Sequence, residues 1–372
     1  MNPANNKRIL FLFSQNDIGG HTKFVLNFIK ILNTEKIYSE VYVPWFTHYF
    51  YTLNNRMQNK PSDVLIWIRY FLGQIKLQLK VSKFAWRGNH LGITSVKLNR
   101  YLFAPNRKKL DSFDVIIITG YFQLQELIKL GVKMQKIIYI IHHLHTNRIE
   151  DIGLDLTLPK VKIAVSSMRT ALECKKLGIN DITICKLGVD HEIFHPKKQL
   201  GNRKNIQIGF FYYQHARKNP ILIESVISQL QAKNPTIGIH VFGNGFRKNR
   251  SSINIYENIS EEIYADKIAN LDLFVYISQL EGFGLPPLEA MASGVCVISS
   301  DVGAVSEFLV NNKNGKLMHT NSSPETWVKE IVHLSNDKIT REKLAKQGLQ
   351  DSKNWPWSIT YNAYLKLILG SK

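Results

Sequence analysis

Two glutamates, Glu281 and Glu289, stand eight positions apart in a glycine-containing stretch of the chain. The residues that follow the first glutamate are Gly282, Phe283, Gly284 and Leu285, and the proline pair Pro286-Pro287 comes next. Proline favours the first turn of a helix, because N–H groups there have no helical partner, so a loop that enters a helix is predicted. The free N–H groups and the positive helix end attract an anion, and glycine lets a phosphate approach the backbone. The pattern therefore predicts a diphosphate site.

The two glutamates would flank this site, Glu281 in the loop and Glu289 in the first helical turn. A carboxylate has two oxygens, so one of them could accept hydrogen bonds from both hydroxyls of a ribose while the other addresses a sugar. The alternative is a loop carboxylate on the surface and a helix carboxylate that only stabilises the dipole. The surrounding glycines and prolines favour the ligand site.

Cationic and imidazole side chains are the next candidates. Arg217 and Lys218 could balance the charge that develops on a departing phosphate, or they could be a solvated pair before Pro220. His142 directly follows the predicted strand Ile137–Ile141, and ligands bind near the carboxyl ends of parallel strands. A hydrogen-bonded loop histidine is the alternative. The sequence contains no Asp-x-Asp, so we expect no catalytic metal.

Two glycine-containing turns could also approach a ligand. Gly19 and Gly20 follow the predicted first strand, and Gly243 opens a Gly-Asn-Gly turn after another predicted strand. Each could be a ligand cradle or only a tight turn.

Short apolar runs alternate with helical patterns in both halves of the chain, which predicts an α/β protein with parallel sheets. A polar, basic stretch around Pro196 to Lys204 separates the halves. We therefore expect one domain at residues 1–198, a second at 199–354, and a final helix within 355–372 that packs back on the first domain.

The composition of the 372 residues, 44% hydrophobic and 21% charged, is that of a globular protein with more than one core. Three cysteines without ligand spacing suggest neither disulfides nor zinc. No apolar run is long enough to cross a bilayer, and the run Ile9 to Phe13 is too short for a signal peptide. A cytoplasmic location is therefore expected.

The formal charge of +19 is concentrated between Leu53 and Leu110, where twelve Lys and Arg residues face one acid. If Val64 to Arg87 is helical, five basic residues recur on one face: Arg69, Lys76, Lys80, Lys83 and Arg87. With their aromatic neighbours they suit the anionic inner face of a membrane. A solvated helix face or a phosphorylated soluble acceptor is the alternative.

The stretch from Glu281 to Glu289, with Ala-Met-Ala-x-Gly after it, resembles the E-x7-E signature of the retaining GT-B glycosyltransferases of family 4, glycosyl transferases group 1. Weaker similarities occur at Gly188-Val189-Asp190 and at Gly303 with Glu307. The resemblance implies two Rossmann-like doubly wound domains facing across a cleft. It implies a nucleotide-diphosphate sugar as co-substrate and no cofactor.

By this resemblance Glu289 binds the ribose, Glu281 lies beside the transferred sugar, Lys218 contacts the leaving diphosphate, and His142 lies near the donor sugar. One departure concerns the arginine that commonly precedes the lysine by five or six positions. Tyr212 and Tyr213 stand at those positions here, so either Arg217 replaces the missing cation, or diphosphate binding is weaker, or the protein is degenerate.

The expected activity is transfer of a sugar to a glycan or lipid-linked acceptor in cell-surface polysaccharide synthesis, such as lipopolysaccharide or capsule. The alternative is a catalytically degenerate GT-B binding or partner protein. A nucleic-acid-binding protein is disfavoured because no zinc finger, RNP-type motif or interleaving of aromatic and basic residues is present. A nicotinamide dehydrogenase is disfavoured because no G-x-G-x-x-G follows the first strand.

Overall fold

The computed structural model describes the parts of the chain that form two sheets and their helices. These are residues 7–12, 28, 29, 32, 35, 37–44, 98–101, 106–142, 144, 161–197, 205–247 and 253–370. Gly19, Gly20 and the segment Val64 to Arg87 lie outside the described residues.

The chain divides into two compact units. Unit 1 comprises Met1–Val165, Ala171–Cys185 and Ala363–Lys372, and unit 2 comprises Ser166–Thr170 and Lys186–Asn362. The domain boundaries expected at residues 198 and 354 stay a prediction.

The sheet of unit 1 has seven parallel strands in the order β3-β2-β1-β4-β5-β6-β7. The strands are β1 (Arg8–Leu12), β2 (Tyr38–Pro44), β3 (Leu98–Tyr101), β4 (Val115–Ile118), β5 (Ile137–Ile141), β6 (Lys162–Val165) and β7 (Ile182–Ile184). The helices described along this part of the chain are α1 (Arg107–Asp111), α2 (Tyr121–Lys129) and α3 (Met168–Lys176). The central strands β4 and β5 are apolar and buried along their whole length, as expected for a sheet covered on both faces.

The end of the chain completes the core of unit 1. The final helix is α10 (Trp357–Leu369), and its Tyr364 packs against Phe28 with ring centroids 5.6 Å apart. Lys7 Nζ donates a hydrogen bond to the carbonyl oxygen of Ile368 at 2.9 Å. The last turn of this helix therefore lies beside the amino end of β1.

The sheet of unit 2 has six parallel strands in the order β10-β9-β8-β11-β12-β13. They are β8 (Gln207–Tyr213), β9 (Gly238–Asn244), β10 (Ile253–Tyr256), β11 (Leu273–Tyr276), β12 (Cys296–Ser300) and β13 (Lys316–Met318). The helices are α4 (Pro220–Lys233), α5 (Glu261–Ile268), α6 (Leu285–Ala292), α7 (Val305–Phe308), α8 (Pro324–Asn336) and α9 (Lys338–Ser352). The prediction of two doubly wound, parallel α/β units is confirmed.

Candidate functional site

The glycine-containing stretch forms a loop between β11 and α6, as predicted. Gly284 is the N-cap of the helix and has a φ of +99°, in the left-handed region that favours glycine. A Cβ on this residue would lie 2.7 Å from Val305 Cγ2, so the loop also leaves no space for a side chain there. A proline pair follows Leu285 inside the first turn, where no N–H donor is required.

The helix begins at Leu285, before the proline pair that was expected to open it. The position of Glu289 in the first helical turn is therefore wrong: it is the fifth residue of α6 and lies in the second turn. The physical reason is that the left-handed backbone of Gly284 ends the loop earlier than the prolines alone suggest. The carboxylate of Glu289 is also buried, with 4% of the residue exposed.

The loop after β12 packs against the loop between β11 and α6. Gly303, which follows β12, has a φ of +56°, and a Cβ there would lie 2.8 Å from the Phe283 carbonyl oxygen. The same oxygen accepts a hydrogen bond of 2.8 Å from Ala304 N. The ring of Phe283 packs against Phe308 and Trp355 at 5.7 and 5.9 Å between centroids. Phe283 therefore anchors the loop with its side chain.

The central pair of the candidate site is Lys218 with Glu281. The Lys218 ammonium forms an ion pair with Glu281 Oε1, and the two side chains are 20% and 13% exposed. Lys218 Nζ also donates to Tyr276 Oη at 3.2 Å and lies 5.5 Å from the ring centroid of Phe211. The structure thus brings together two residues that are 63 positions apart in the chain and that were both predicted as site residues.

Ser278 connects the loops that carry this pair, and the sequence analysis missed it. Its Oγ lies 2.6 Å from Glu281 Oε1 and 3.0 Å from the Arg217 carbonyl oxygen. Gln279 N donates to that same carbonyl oxygen at 2.8 Å. The available signal was its position, because a small hydroxyl residue next to the carboxyl end of a parallel strand is well placed for a site.

Arg217 and Lys218 lie in a short 3-10 helix, Ala216–Lys218, between β8 and α4. His215 begins this turn, and its Nδ1 accepts a hydrogen bond of 3.3 Å from Arg217 N. Asn219 then takes a left-handed φ of +48°, which turns the chain into α4. The backbone of Arg217 holds the loop after β11, whereas a contact between its guanidinium and a diphosphate stays a prediction.

Buried phenols lie beside both glutamates. Burial, followed by the charge of Glu289, raises the pKa of Tyr264 well above its usual value. Burial, followed by the charge and hydrogen bond of Glu281, does the same to the pKa of Tyr276, with Glu289 as a weaker contributor. Both carboxylates therefore act on one group of protonated hydroxyls.

The two tyrosines at the expected arginine positions point to different faces of β8. Tyr212 is 1% exposed, donates to Glu224 Oε1 of α4 at 2.7 Å, and packs edge-to-face on Phe246. Tyr213 lies on the opposite face, with its ring 5.3 Å from that of Phe211, as the alternation of a strand requires. Tyr212 is therefore a core residue, and Tyr213 is on the side of the Lys218–Glu281 pair.

Gly243 is explained by the packing of two strands. It lies in β9 opposite Tyr212, has a φ of +137°, and a Cβ there would lie 1.7 Å from the Tyr212 carbonyl oxygen. The strand pairing alone requires glycine here, and donor contact by Gly243 stays a prediction.

His142 belongs to unit 1, where it directly follows β5 as predicted. The side chain is partly buried, and this burial lowers its pKa to about 4. The imidazole is therefore neutral at physiological pH. Its contact with a donor sugar stays a prediction, as do the roles of Gly19 and Gly20.

The described ranges contain neither a cluster of metal ligands nor a helix that could span a membrane. No group of three or more His, Cys, Asp or Glu side chains there could hold a metal ion. No helix among these residues combines the length and hydrophobicity required to cross a bilayer.

The candidate site lies in a part of the chain that matches a known protein family. Residues 194–351 match the model of the family Glycosyl transferases group 1. The chain is 32% identical over 150 residues to the lipopolysaccharide core biosynthesis mannosyltransferase LpsB of Rhizobium meliloti, which covers 34% of this chain and 42% of LpsB. It is 22% identical over 218 residues to the D-inositol 3-phosphate glycosyltransferase of Paenarthrobacter aurescens, which covers 52% of this chain and 53% of that relative. The chain thus spans about half the length, or less, of these curated relatives.

The architecture matches solved glycosyltransferase structures over nearly the whole chain. The structure of Anabaena HepE in complex with UDP and glucose superposes with a TM-score of 0.71 at 13% identity, covering 97% of this chain and 99% of HepE. The fold is therefore GT-B, the fold of a large class of glycosyltransferases. The segment matched by the family contains Lys218, Glu281 and Glu289, so fold and segment together support a GT-B glycosyltransferase.

Proposed function

We propose that the protein is a retaining, metal-independent glycosyltransferase that takes a sugar from a nucleotide-diphosphate donor. The observation that carries the proposal is the Lys218–Glu281 pair, partly exposed beside the glycine loop at the start of α6. A fixed cation next to a phosphate-sized anion site is what the departure of a diphosphate requires.

The donor would be bound by unit 2. The backbone N–H groups of Gly282, Gly284 and Leu285 would meet the diphosphate, because Pro286 and Pro287 have no N–H to donate. Lys218 would contact the departing phosphate, and Glu289 would accept the ribose hydroxyls from within the second turn of the helix. HepE, which shares the fold, has been crystallised with UDP and with UDP-glucose, and this supports a nucleoside diphosphate as the ligand class.

The chemical step would break the bond between the anomeric carbon and the diphosphate oxygen. Negative charge then collects on the departing diphosphate, where the Lys218 ammonium stabilises it without a proton transfer. The acceptor hydroxyl would form its new bond on the same face of the sugar, and its proton would pass to a departing phosphate oxygen. Retention of configuration follows, and no side-chain nucleophile is needed.

The acceptor would be a glycan or a lipid-linked saccharide in cell-surface polysaccharide synthesis. The relative LpsB, named as a lipopolysaccharide core mannosyltransferase, supports this class. The enzyme would then work in the cytoplasm, on or near the inner face of the membrane.

The test is a melting-temperature screen of the purified protein with UDP, GDP and a panel of their sugar conjugates. A ligand that binds only the folded state raises the melting temperature. At one hundred times its Kd it adds about 2.7 kcal/mol to the free energy of unfolding. The stabilising donors are then incubated with the protein, with and without EDTA, and the released nucleoside diphosphate is measured.

Release from one donor that survives EDTA is the expected result, since Lys218 replaces a metal in the proposed step. A donor that stabilises the protein but yields no nucleoside diphosphate, even after an acceptor extract is added, would favour the degenerate binding protein. Loss of release with EDTA that magnesium restores would contradict the metal-free mechanism.

A further inference from the structure

One phenol contacts the lysine of the central ion pair. Tyr276 is the last residue of β11 and is 1% exposed. Its Oη accepts a hydrogen bond of 3.2 Å from Lys218 Nζ, and the same ammonium lies 5.6 Å from the centroid of its ring. Phe211 presents a second ring to the ammonium at 5.5 Å. Lys218 therefore contacts one carboxylate and one hydroxyl, and the ring of Phe211 lies beside it.

The phenol stays protonated beside two carboxylates. Burial, then the charge and hydrogen bond of Glu281, hold the pKa of Tyr276 well above its usual range. Its oxygen accepts the hydrogen bond from Lys218. Tyr276 is thus a neutral partner of the Lys218 ammonium.

This arrangement matters because a lysine side chain is flexible and loses about 2 kcal/mol of rotamer entropy when it is fixed. An ammonium with only Glu281 as its partner would be neutralised by that carboxylate and would have to leave it to meet a phosphate. The hydroxyl of Tyr276 and the ring of Phe211 offer attraction without a negative charge. They can hold Lys218 at the edge of the loop while part of its charge remains for a ligand.

We propose that Tyr276 is a positioning residue that acts through Lys218. This assignment rests on the proposed function. It orients the Lys218 ammonium toward the departing diphosphate, and the Ser278 hydroxyl remains a partner of the Glu281 carboxylate when Lys218 turns toward the ligand. Ser278 Oγ is already 2.6 Å from that carboxylate.

The test is Tyr276→Phe, alone and combined with Lys218→Ala, assayed with the donor that the parent protein hydrolyses. We expect kcat to fall about tenfold and KM to change less than about twofold, since the lysine acts most strongly as charge develops in the transition state. In the Lys218→Ala background the same change should cost nothing further, because Tyr276 acts through the lysine.

Tyr212→Phe is the matched control. Tyr212 is an equally buried phenol of the same unit, but its hydroxyl is bonded to Glu224 on the other face of the sheet. Its loss should lower the melting temperature and leave kcat unchanged in both backgrounds. If Tyr276→Phe does not fold, Phe211→Leu takes its place, because it removes the aromatic ring beside the ammonium. We expect a smaller loss of kcat for this variant, and no further loss in the Lys218→Ala background.

The outcomes separate the two proposals. A parent that turns over donor together with a Tyr276→Phe variant of parental kcat overturns the positioning role and leaves the proposed function standing. A loss that adds in full to that of Lys218→Ala overturns it too, because the effect would not pass through the lysine. A parent that neither binds nor turns over any donor overturns the proposed function, and this assignment with it.

Discussion

The carboxyl ends of the two sheets carry different kinds of candidate residue. In unit 2 the loops after β8 and β11 bring together the charged pair Lys218 and Glu281. In unit 1 the residue after β5 is His142, whose imidazole burial keeps neutral by lowering its pKa to about 4. A neutral imidazole can offer a hydrogen bond but cannot balance the charge of a phosphate. The comparison therefore supports the proposal that the anionic part of a donor binds to unit 2, and an uncharged hydrogen-bonding role for His142 stays a prediction.

The largest expected effect tests the charged side of this comparison. Lys218→Ala should lower kcat about a hundredfold, on the order of 3 kcal/mol of leaving-group stabilisation. Lys316→Ala is the matched control, because Lys316 forms a comparably buried ion pair with Glu330 in the same unit, at 3.1 Å. Steady-state release of nucleoside diphosphate is the measurement. Equal kcat for the two variants would remove Lys218 from the chemical step.

Arg217→Ala asks whether this arginine supplies the cation that Tyr212 and Tyr213 do not. The expected loss of kcat is comparable to that of Lys218→Ala, if the guanidinium shares the phosphate with the lysine. Its backbone carbonyl contacts to Ser278 and Gln279 do not depend on the side chain. Unchanged kinetics would reject the replacement and leave diphosphate binding to Lys218 and the helix alone.

The two glutamates should separate binding from turnover. Glu289→Gln should raise the Kd of the donor about tenfold, the cost of a hydrogen bond to a charged acceptor, because the amide has a single acceptor oxygen for the ribose. Glu281→Gln should instead lower kcat more than affinity, since it removes the partner of Lys218. Calorimetry with UDP and steady-state assays measure the two effects. Parental values for both variants would show that the loop is not the donor site.

Local chemistry made part of this site predictable from the sequence. Gly284 and the prolines after it act on their own backbone, so the loop and the entry into α6 could be foreseen. The same locality explains the error at Glu289, because the sequence does not say that Gly284 caps the helix before the prolines begin. The short strands β10 and β13, of four and three residues, carry too weak a pattern to be recognised.

Contacts between distant elements could not be foreseen. Lys218 and Glu281 were each expected near a ligand, but their pairing depends on β8 lying beside β11 in the sheet. The direction of Tyr212 toward Glu224 depends on which face of β8 the helix α4 covers. Tyr276 looked like an ordinary apolar strand residue, and only the neighbouring loop reveals that its hydroxyl meets the ion pair.

The neutral side of the comparison predicts a pH effect on stability rather than on turnover. The pKa of His142 is about 4 in the folded protein, against about 6.5 for an unfolded histidine, so the unfolded state binds more protons between these values. Its contribution to stability is present above pH 6.5 and is lost as the pH falls toward 4. His142→Gln should therefore lose less stability than the parent between pH 7.5 and pH 5, by about 1 kcal/mol for a partly exposed ring.

Thermal melts of parent and variant at the two pH values measure this difference. The other histidines and the carboxylates titrate in both proteins and cancel in the comparison. A variant that loses more stability than the parent on acidification would mean that His142 is charged in the folded protein. The carboxyl end of β5 would then carry a cation, and its contrast with the Lys218–Glu281 pair of unit 2 would fail.

The smallest effect on turnover is expected from the basic segment Val64 to Arg87, whose residues lie outside those the structure describes. Its sequence places basic residues at intervals of seven, four, three and four from Arg69 to Arg87, on one face if the segment is helical. Such a face suits an anionic membrane, where each Lys or Arg contributes about 1 kcal/mol before screening by salt. Hydrolysis of a soluble donor should not depend on it, because the donor contacts are assigned to unit 2.

Flotation with liposomes tests the segment directly. The parent should float with vesicles that contain phosphatidylserine but not with neutral phosphatidylcholine vesicles, and binding should weaken as salt is raised. The triple variant Lys76→Glu, Lys80→Glu and Lys83→Glu should lose flotation and keep the parental kcat on soluble donor. Equal recovery of the parent in the unbound fraction with both vesicle types would reject membrane docking, and a phosphorylated soluble acceptor would become the better explanation of the basic face. Loss of kcat in the triple variant would instead connect this segment to the transfer site and contradict the proposal that the donor contacts lie in unit 2 alone.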